Sequence, residues 1–471
     1  MKSKLEKDLI LPVEQINSEI FELYQKYLQN CCHDRVFKPF DRTGLKSKLD
    51  NLINKKGKSP EFLLDILQEV IINHSMNLQN PMYMGHQVPP SLPLAVMIDL
   101  IISGLNQSLT VNKMSPVLSE IERHTIKFLT SAIGFDSRAN GTLTSGGSVS
   151  NLVGLFGARR KYFHDTIPDE AVIITSSQAH YSINKAARML GFSKASVITI
   201  PCDRYFRIDI NKTIEIIDLL KNEHKKPFVI MASAGSTSTG SFDDIEALAD
   251  IASVNEMWLH VDGAHGASLI FSEKLKHLLK GIERADSISW DGHKMLFMPS
   301  SLGMCLFKNG DYLLNCFKDE QAPYLYNSKN DPLDLSKLSL QCTRRGDALK
   351  LWGCLVAYGT DFFAVRLEHL SEITQYFYNR LLKHQDFETL HRPEFNIISF
   401  RYNPSNKILT EDQLNDMNAY IRDTVNATGE TMITLTSLEG KISLRTTIVN
   451  PATNKAHIDR LIEIIEECVP V

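Results

Sequence analysis

The feature of this sequence that most limits its fold is an alternation of short apolar runs with helical segments, which begins near residue 140. The runs are rich in β-branched or aromatic residues and predict strands. Helical patterns, such as residues 182–190 and 244–254, separate most of them. The alternation predicts an α/β fold with a mostly parallel sheet. The predicted strands are Ala171–Thr175, Ala195–Ile200, Phe228–Ala232, Trp258–Val261, Ser287–Trp290 and Gly303–Phe307.

The regions on either side of this core follow other patterns. Upstream, periodicity predicts helices over residues 14–30, 60–75, 92–109 and 116–133. Downstream, the pattern indicates a strand over 396–402, a hairpin of 432–438 with 442–449, and a closing helix over 455–468. We therefore expect three parts: an N-terminal helical arm, residues 1–110, a large α/β domain, 111–355, and a small α+β domain, 356–471.

Composition excludes several classes of function. The 471 residues are 43% hydrophobic and carry a formal net charge of −4, so no basic surface for nucleic acid is expected. The first residues alternate charges without an apolar signal core, and the apolar stretch 92–105 contains Asp99 and is too short to span a membrane. Eight scattered cysteines without a Cys-x-x-Cys pair predict neither a metal site nor a disulfide framework. A reduced, cytoplasmic setting follows as the expectation.

Two residues with complementary chemistry follow neighbouring predicted strands. Asp262 ends the strand Trp258–Val261, and Lys294 follows the strand Ser287–Trp290. Because ligands of parallel α/β sheets bind at the carboxyl ends of strands, both side chains are expected at one site. A partly desolvated lysine amine forms an imine with an aldehyde, and a carboxylate at the edge of an apolar core needs a cationic partner. A protonated pyridine nitrogen is such a partner.

A glycine-rich turn precedes both residues. Gly146, Gly147 and Ser148 lie just before a predicted helix over residues 149–162, where free backbone N–H groups attract a phosphate. Such a turn is a weak signal by itself, because Ser-Gly-Gly-Ser is also a common loop. His293, beside the lysine, is a further candidate for the phosphate.

Three more residues complete the predicted site. His180 follows the strand Ala171–Thr175, and an imidazole there can stack on a flat ring and move protons near neutral pH. Ala264 is small enough for a ring to pack over it, and Thr237 belongs to a hydroxyl-rich turn after the strand Phe228–Ala232. Lysine, carboxylate and phosphate turn together predict a site for pyridoxal 5′-phosphate.

These motifs, in this order, resemble the group II pyridoxal-dependent amino-acid decarboxylases, from about residue 80 to the C-terminus. That family includes glutamate, cysteine-sulfinate, aromatic amino-acid and 2,4-diaminobutyrate decarboxylases. The matching stretches are Thr144–Asn151, Ala179–Ser182, Gly235–Asp243, Val261–Ala264 and His293-Lys294. The resemblance implies a fold-type-I homodimer with a seven-stranded sheet and active sites at the subunit interface.

The resemblance also implies a role for each residue. Lys294 would bind the cofactor covalently, Asp262 would pair with its pyridine nitrogen, and His180 would stack on its ring. Gly146, Gly147, Ser148 and His293 would hold the phosphate, with Thr237 nearby. For the substrate, Arg344 would hold the α-carboxylate, and His86 and Gln87 are pocket candidates.

One departure leaves the outcome of the reaction open. Many members carry a loop tyrosine that protonates the substrate carbon, but residues 327–340 contain none, and Tyr324 and Tyr326 precede that stretch. Either of these, His180 or water would deliver the proton. We expect decarboxylation of an acidic or diamino L-amino acid to the amine. Oxidative deamination to an aldehyde and aminotransfer are alternatives, and a regulator or structural dimer that binds the cofactor is a non-enzymatic one.

Overall fold

The core of the computed structural model is a seven-stranded sheet with the order β1-β7-β6-β5-β4-β2-β3. The structure describes residues 13–50, 52–53, 55, 57–164, 166–317 and 332–470. The strands are β1 (Asn140–Thr144), β2 (Ala171–Ser176), β3 (Val197–Ile200), β4 (Lys226–Ser233), β5 (Trp258–Asp262), β6 (Ser287–Asp291) and β7 (Gly303–Phe307). Strands β6, β5, β4, β2 and β3 are parallel neighbours, and β7 is antiparallel to β6 and β1. The predicted α/β fold of type I is confirmed.

All six predicted strands are present, and one strand was missed. The sequence of β1, Asn140-Gly-Thr-Leu-Thr144, begins with two residues that disfavour strands. Its place at the edge of the sheet, paired with β7, comes from tertiary contacts. Its position matters for function, because the glycine turn follows it directly.

Helices cover both the sheet and the N-terminal region. They are α1 (Val13–Asn30), α2 (Arg42–Asp50), α3 (Pro60–Ile66), α4 (Pro93–Leu105), α5 (Pro116–Ile133), α6 (Gly147–Phe163), α7 (Ser182–Met189), α8 (Ile210–Asn222), α9 (Ile245–Val254), α10 (Gly310–Phe317), α11 (Ala348–Leu382), α12 (Glu411–Thr428) and α13 (Lys455–Glu467). Two predicted helices are shorter than expected. Helix α4 ends because Asn106 adopts a left-handed conformation (φ 47°), and α3 continues as a π-helical segment, Leu67–Ile72.

A second sheet lies near the C-terminus. It is antiparallel with the order β10-β11-β9-β8, and its strands are β8 (Phe387–Thr389), β9 (Ile397–Tyr402), β10 (Thr434–Leu438) and β11 (Lys441–Thr447). The predicted hairpin is β10–β11. Its turn residues Glu439 and Gly440 both have positive φ, 52° and 84°, as a type I′ turn requires. This sheet brings β11 beside the first sheet, where one of its arginines contacts the turn after β4.

Helix α11 spans the boundary that the sequence places at residues 355–356, and the three-part division stays a prediction. By length and composition alone, α11 would be able to cross a membrane. Core helices pass the same test, and α11 packs against α4, α5, α13 and β8 with Phe363, Leu367 and Phe377 buried. These contacts account for its apolar character. Its helical path is broken at Gly359, which has φ 69°.

Candidate active site

The glycine turn between β1 and α6 forms one end of a cavity of about 320 Å³. Gly146 has φ 148°, which a side chain would strain, and a Cβ on Gly147 would come within 2.8 Å of the Cβ of Ala264. The turn is therefore closely packed and leaves the amino end of α6 facing the cavity, which Ser148 also lines. Free N–H groups at a helix start suit a phosphate.

Asp262 and Lys294 come together as predicted, at the carboxyl ends of β5 and β6. Asn151 donates to one carboxylate oxygen of Asp262 (2.7 Å), and Ser289 and the backbone N–H of Ala264 donate to the other (3.0 and 3.2 Å). These bonds fix the carboxylate and leave lone pairs for a further partner. Lys294 lies on the same cavity, partly shielded from solvent.

His180 lines the cavity at the end of β2. Its Nδ1 lies 2.8 Å from the Ser182 hydroxyl oxygen. Burial lowers the pKa of His180, against a smaller raising by the charge of Asp262, so the net shift favours the neutral ring. Thr237 also lines the cavity, where its backbone oxygen accepts a hydrogen bond from the small sheet.

His293 and Asp291 flank Lys294. His293 also lines the cavity, and its Nδ1 lies 2.7 Å from the Leu302 carbonyl oxygen. The carboxylate oxygen Oδ2 of Asp291 lies 3.6 Å from His293 Nε2 and 3.5 Å from Lys294 Nζ. The other oxygen, Oδ1, is buried without a hydrogen-bond partner among the described residues. Burial raises the pKa of Asp291.

The sequence reasoning missed Asp291, although a signal was available. It ends β6 as Asp262 ends β5, and these are adjacent parallel strands. Carboxylates at the carboxyl ends of neighbouring strands are expected at one site. Gly303 makes room for Asp291, since a Cβ there would lie 2.6 Å from Asp291 Oδ1, and no local pattern predicts this contact.

Arg344 lies outside the set of residues that line the cavity. Its guanidinium is 7% exposed and lies 2.7 Å from the carboxylate of Glu122, on α5. It also contacts the backbone oxygen of Leu143. A buried carboxylate pairs with Arg344 in the single chain, and its role in holding the substrate carboxylate stays a prediction.

A second buried arginine, Arg445 on β11, contacts Thr237, which lines the cavity. It is 6% exposed, and its guanidinium donates to the backbone oxygen of Thr237 (2.8 Å) and to the hydroxyl of Thr434 (3.1 Å). Burial lowers the pKa of Arg445. Within the part of the chain that the structure describes, no carboxylate lies within 4 Å of it. The sequence offered no signal, because the contact depends on how the two sheets pack.

The two remaining candidates differ in position. Gln87 lines the cavity, and its side-chain nitrogen is buried without a partner among the described residues. His86 is exposed overall and does not line the cavity, but partial burial and then the charge of Arg445 lower the pKa of its ring. Tyr324 and Tyr326 lie outside the described residues.

Comparisons with known proteins agree with this arrangement. Residues 46–403 match the family model described as the pyridoxal-dependent decarboxylase conserved domain. The chain belongs to the pyridoxal-dependent decarboxylase family. The sequence is similar to an aromatic-L-amino-acid decarboxylase of Bacillus atrophaeus, 30% identical over 94% of this chain and 92% of the relative. It is also similar to the cysteine sulfinic acid decarboxylase of Rattus norvegicus, 31% identical over 76% and 74% of the two chains.

Solved structures give the same result for this pyridoxal-dependent decarboxylase. Mouse CSAD in its apo form superposes with a TM-score of 0.91 at 27% identity, covering 97% of this chain and 99% of that one. The predicted family, enzyme class and cofactor are confirmed. The residues present fit pyridoxal phosphate: a closely packed glycine turn at a helix start, a lysine amine, and a fixed carboxylate with free lone pairs. The individual roles of these residues stay predictions.

Proposed function

We propose that this decarboxylase removes the α-carboxylate of an L-amino acid with an acidic side chain and releases the amine. When bound, pyridoxal phosphate supplies an electron-accepting ring for the electron pair of the breaking Cα–carboxylate bond. Lys294 would hold the cofactor covalently, and Asp262 would keep the proton on its ring nitrogen. Gly146, Gly147, Ser148 and His293 would bind the phosphate.

The observation that carries the proposal is the uncompensated charge of Arg445. A buried cation without an anionic partner is costly, and a substrate carboxylate would neutralise it. Gln87 offers an unpaired N–H donor on the cavity wall, and its neighbour His86 lies within the electrostatic reach of Arg445. The Gln87 donor and the charge of Arg445 favour an anionic ligand.

The cavity favours acidic over diamino substrates. Of the described residues that line it, two are acidic, Asp262 and Asp291. Asp262 is held by Asn151 and Ser289, and Asp291 lies against Lys294. Asp262 would be taken by the ring nitrogen of the cofactor, which leaves Oδ1 of Asp291 as the one unpaired carboxylate oxygen among the described lining residues. The relatives point to several substrates, since similarity extends to an L-2,4-diaminobutyrate decarboxylase of Acinetobacter baumannii, 27% identical over 96% of this chain and 92% of the relative.

A substrate panel tests the proposal. The holoenzyme is incubated with L-aspartate, L-glutamate, L-cysteine sulfinate, L-2,4-diaminobutyrate and L-tyrosine, and carbon dioxide, amine, aldehyde and peroxide are measured. We expect the highest kcat/KM for an acidic substrate, with amine equal to carbon dioxide. Preference for diaminobutyrate or tyrosine would refute the substrate class. Aldehyde and peroxide in stoichiometric yield would instead favour oxidative deamination.

We also propose a homodimer in the cytoplasm. Helix α4 exposes Leu100, Ile101 and Leu105, and α11 exposes Val356 and Val365. Apolar side chains of this size are expected to be covered by a partner. All eight cysteines are free thiols, which suits a reducing compartment. Light scattering should give twice the mass of one chain, and Ile101→Glu should weaken the association.

A further inference from the structure

A chain of hydrogen bonds crosses the interior behind the cavity. The indole N–H of Trp258 donates to the hydroxyl oxygen of Ser287 (2.8 Å), which lies 2.7 Å from Nδ1 of His260. Nε2 of His260 lies 3.0 Å from the side-chain oxygen of Asn151. All four residues are at most 1% exposed. Buried polar groups need partners, and here each one has them.

The chain ends in a branch that reaches two groups of the active site. The side-chain nitrogen of Asn151 donates to Asp262 (2.7 Å) and to the hydroxyl oxygen of Ser182 (3.0 Å). That hydroxyl lies 2.8 Å from Nδ1 of His180. We infer that Asn151 is a positioning residue, whose single amide group fixes both the Asp262 carboxylate and the tautomer of His180.

The chemistry of its members gives the chain one direction. A carboxylate oxygen only accepts, so Asn151 must turn its nitrogen toward Asp262 and its oxygen toward His260. The oxygen also only accepts, so Nε2 of His260 carries the ring proton and Nδ1 accepts from the Ser287 hydroxyl. The Ser287 oxygen in turn accepts from Trp258, whose indole only donates. The donor at one end, Trp258, and the acceptor at the other, Asp262, therefore require the same direction of donation along these hydrogen bonds.

The same polarity sets the proton of His180. The Ser182 hydroxyl accepts from Asn151 and therefore gives its own proton to Nδ1 of His180 (2.8 Å); the backbone N–H of Ser182 is a longer contact to the same nitrogen (3.3 Å). The single proton of the neutral ring is then on Nε2. No described residue pairs with Nε2, and His180 lines the cavity. The hydrogen-bond chain thus leaves the Nε2–H of the neutral His180 ring to donate to a ligand in the cavity.

Helix α6 is shaped to accept His260. Asn151 and Gly154 lie three residues apart, on one face of the helix. A Cβ on Gly154 would come within 2.3 Å of Nδ1 of His260. The missing side chain lets the imidazole reach Asn151. This packing is specific to the hydrogen-bond chain, and it supports a role for His260 beyond filling the core.

The test replaces Asn151 and compares it with a matched residue. Asn151→Leu removes the amide without adding a charge, and Asn418→Leu is the control, because Asn418 is also fully buried and its nitrogen also donates two hydrogen bonds. Three readouts are used: the dissociation constant of pyridoxal phosphate, the visible absorption of the holoenzyme, and ¹⁵N shifts of labelled histidines. The His180 signals are assigned with His180→Gln.

We expect Asn151→Leu to weaken cofactor binding at least tenfold, shift the absorption band, and turn the ¹⁵N signature of His180 into a mixture of tautomers. Asn418→Leu should lower the melting temperature without any of these changes. Wild-type affinity and signature in Asn151→Leu would overturn the inference. If that variant does not fold, Ser182→Ala decides: the His180 signature should change while cofactor affinity stays within twofold, and an unchanged signature would overturn it. These readouts involve no substrate, so they are independent of the proposed substrate class.

Discussion

Arg344 and Arg445 are almost equally buried, at 7% and 6% exposure, but their surroundings differ. Arg344 lies 2.7 Å from Glu122 and is neutralised within the chain. Among the described residues, the partners of Arg445 are a backbone oxygen and a hydroxyl. The comparison teaches that burial by itself does not mark a functional cation. A buried cation without a counter-charge in the described part of the chain does mark a functional site, because a ligand must supply that charge.

The largest effect is expected where a counter-charge is removed. Glu122→Gln would leave Arg344 buried and unpaired, so we expect the free energy of unfolding to fall by about 3–5 kcal/mol. Denaturant titration measures it. The double variant Glu122→Gln/Arg344→Met should recover much of the loss, since neither charge remains. A single variant as stable as the wild type would show that Glu122 does not compensate Arg344.

The reverse result is expected for Arg445. Arg445→Met should reduce kcat/KM roughly 30- to 5,000-fold, because a buried charged contact to substrate is lost. This factor corresponds to a loss of about 2–5 kcal/mol in transition-state stabilisation. The free energy of unfolding should stay the same or rise, since an uncompensated cation is removed. Arg401→Met is the control: Arg401 is 4% exposed and pairs with Glu388 and Glu411 in the same small sheet. Arg401→Met should lower the free energy of unfolding and leave kcat/KM unchanged.

The contrast between Arg344 and Arg445 also shows which parts of the molecule could be predicted from the sequence alone. The strands, Asp262, Lys294 and the glycine turn follow from local patterns, because parallel strands bring their carboxyl ends together. The pairing of Arg344 with Glu122 was missed because Glu122 is 222 residues away in the chain. Arg445 was missed for the same reason: its contact with Thr237 spans 208 residues. Charge compensation is long-range, and periodicity carries no information about it.

A pH effect of intermediate size on stability is expected from His265, a buried histidine that feels the charge of Arg445. Burial, and then the charge of Lys294, lower the pKa of His265 to about 3, with a further contribution from Arg445. The unfolded ring, with a pKa near 6.5, binds a proton that the folded ring does not. The contribution of His265 to stability is therefore complete above about pH 6.5 and falls as the pH is lowered, by about 2 kcal/mol at pH 5. His260 and His391, whose pKa values burial lowers to about 4, add contributions of the same sign.

Unfolding of the apoprotein at pH 7 and pH 5 measures this slope. His265→Gln keeps a donor for Asn396, whose oxygen lies 2.7 Å from His265 Nε2, and should reduce the slope by the His265 share, leaving the part that His260 and His391 contribute. A slope equal to that of the wild type would show that His265 does not contribute to it.

The smallest effect is expected for an ion pair of the same length on the surface. Lys212 and Glu215 on α8 are 2.7 Å apart, as Arg344 and Glu122 are, but their side chains are 50% and 66% exposed. Water replaces the lost partner of an exposed charge, so Glu215→Gln should leave the melting temperature unchanged within error. A loss comparable to that of Glu122→Gln would mean that pairing distance, and not burial, decides the cost. In that case the lack of a carboxylate beside Arg445 would no longer indicate a ligand site.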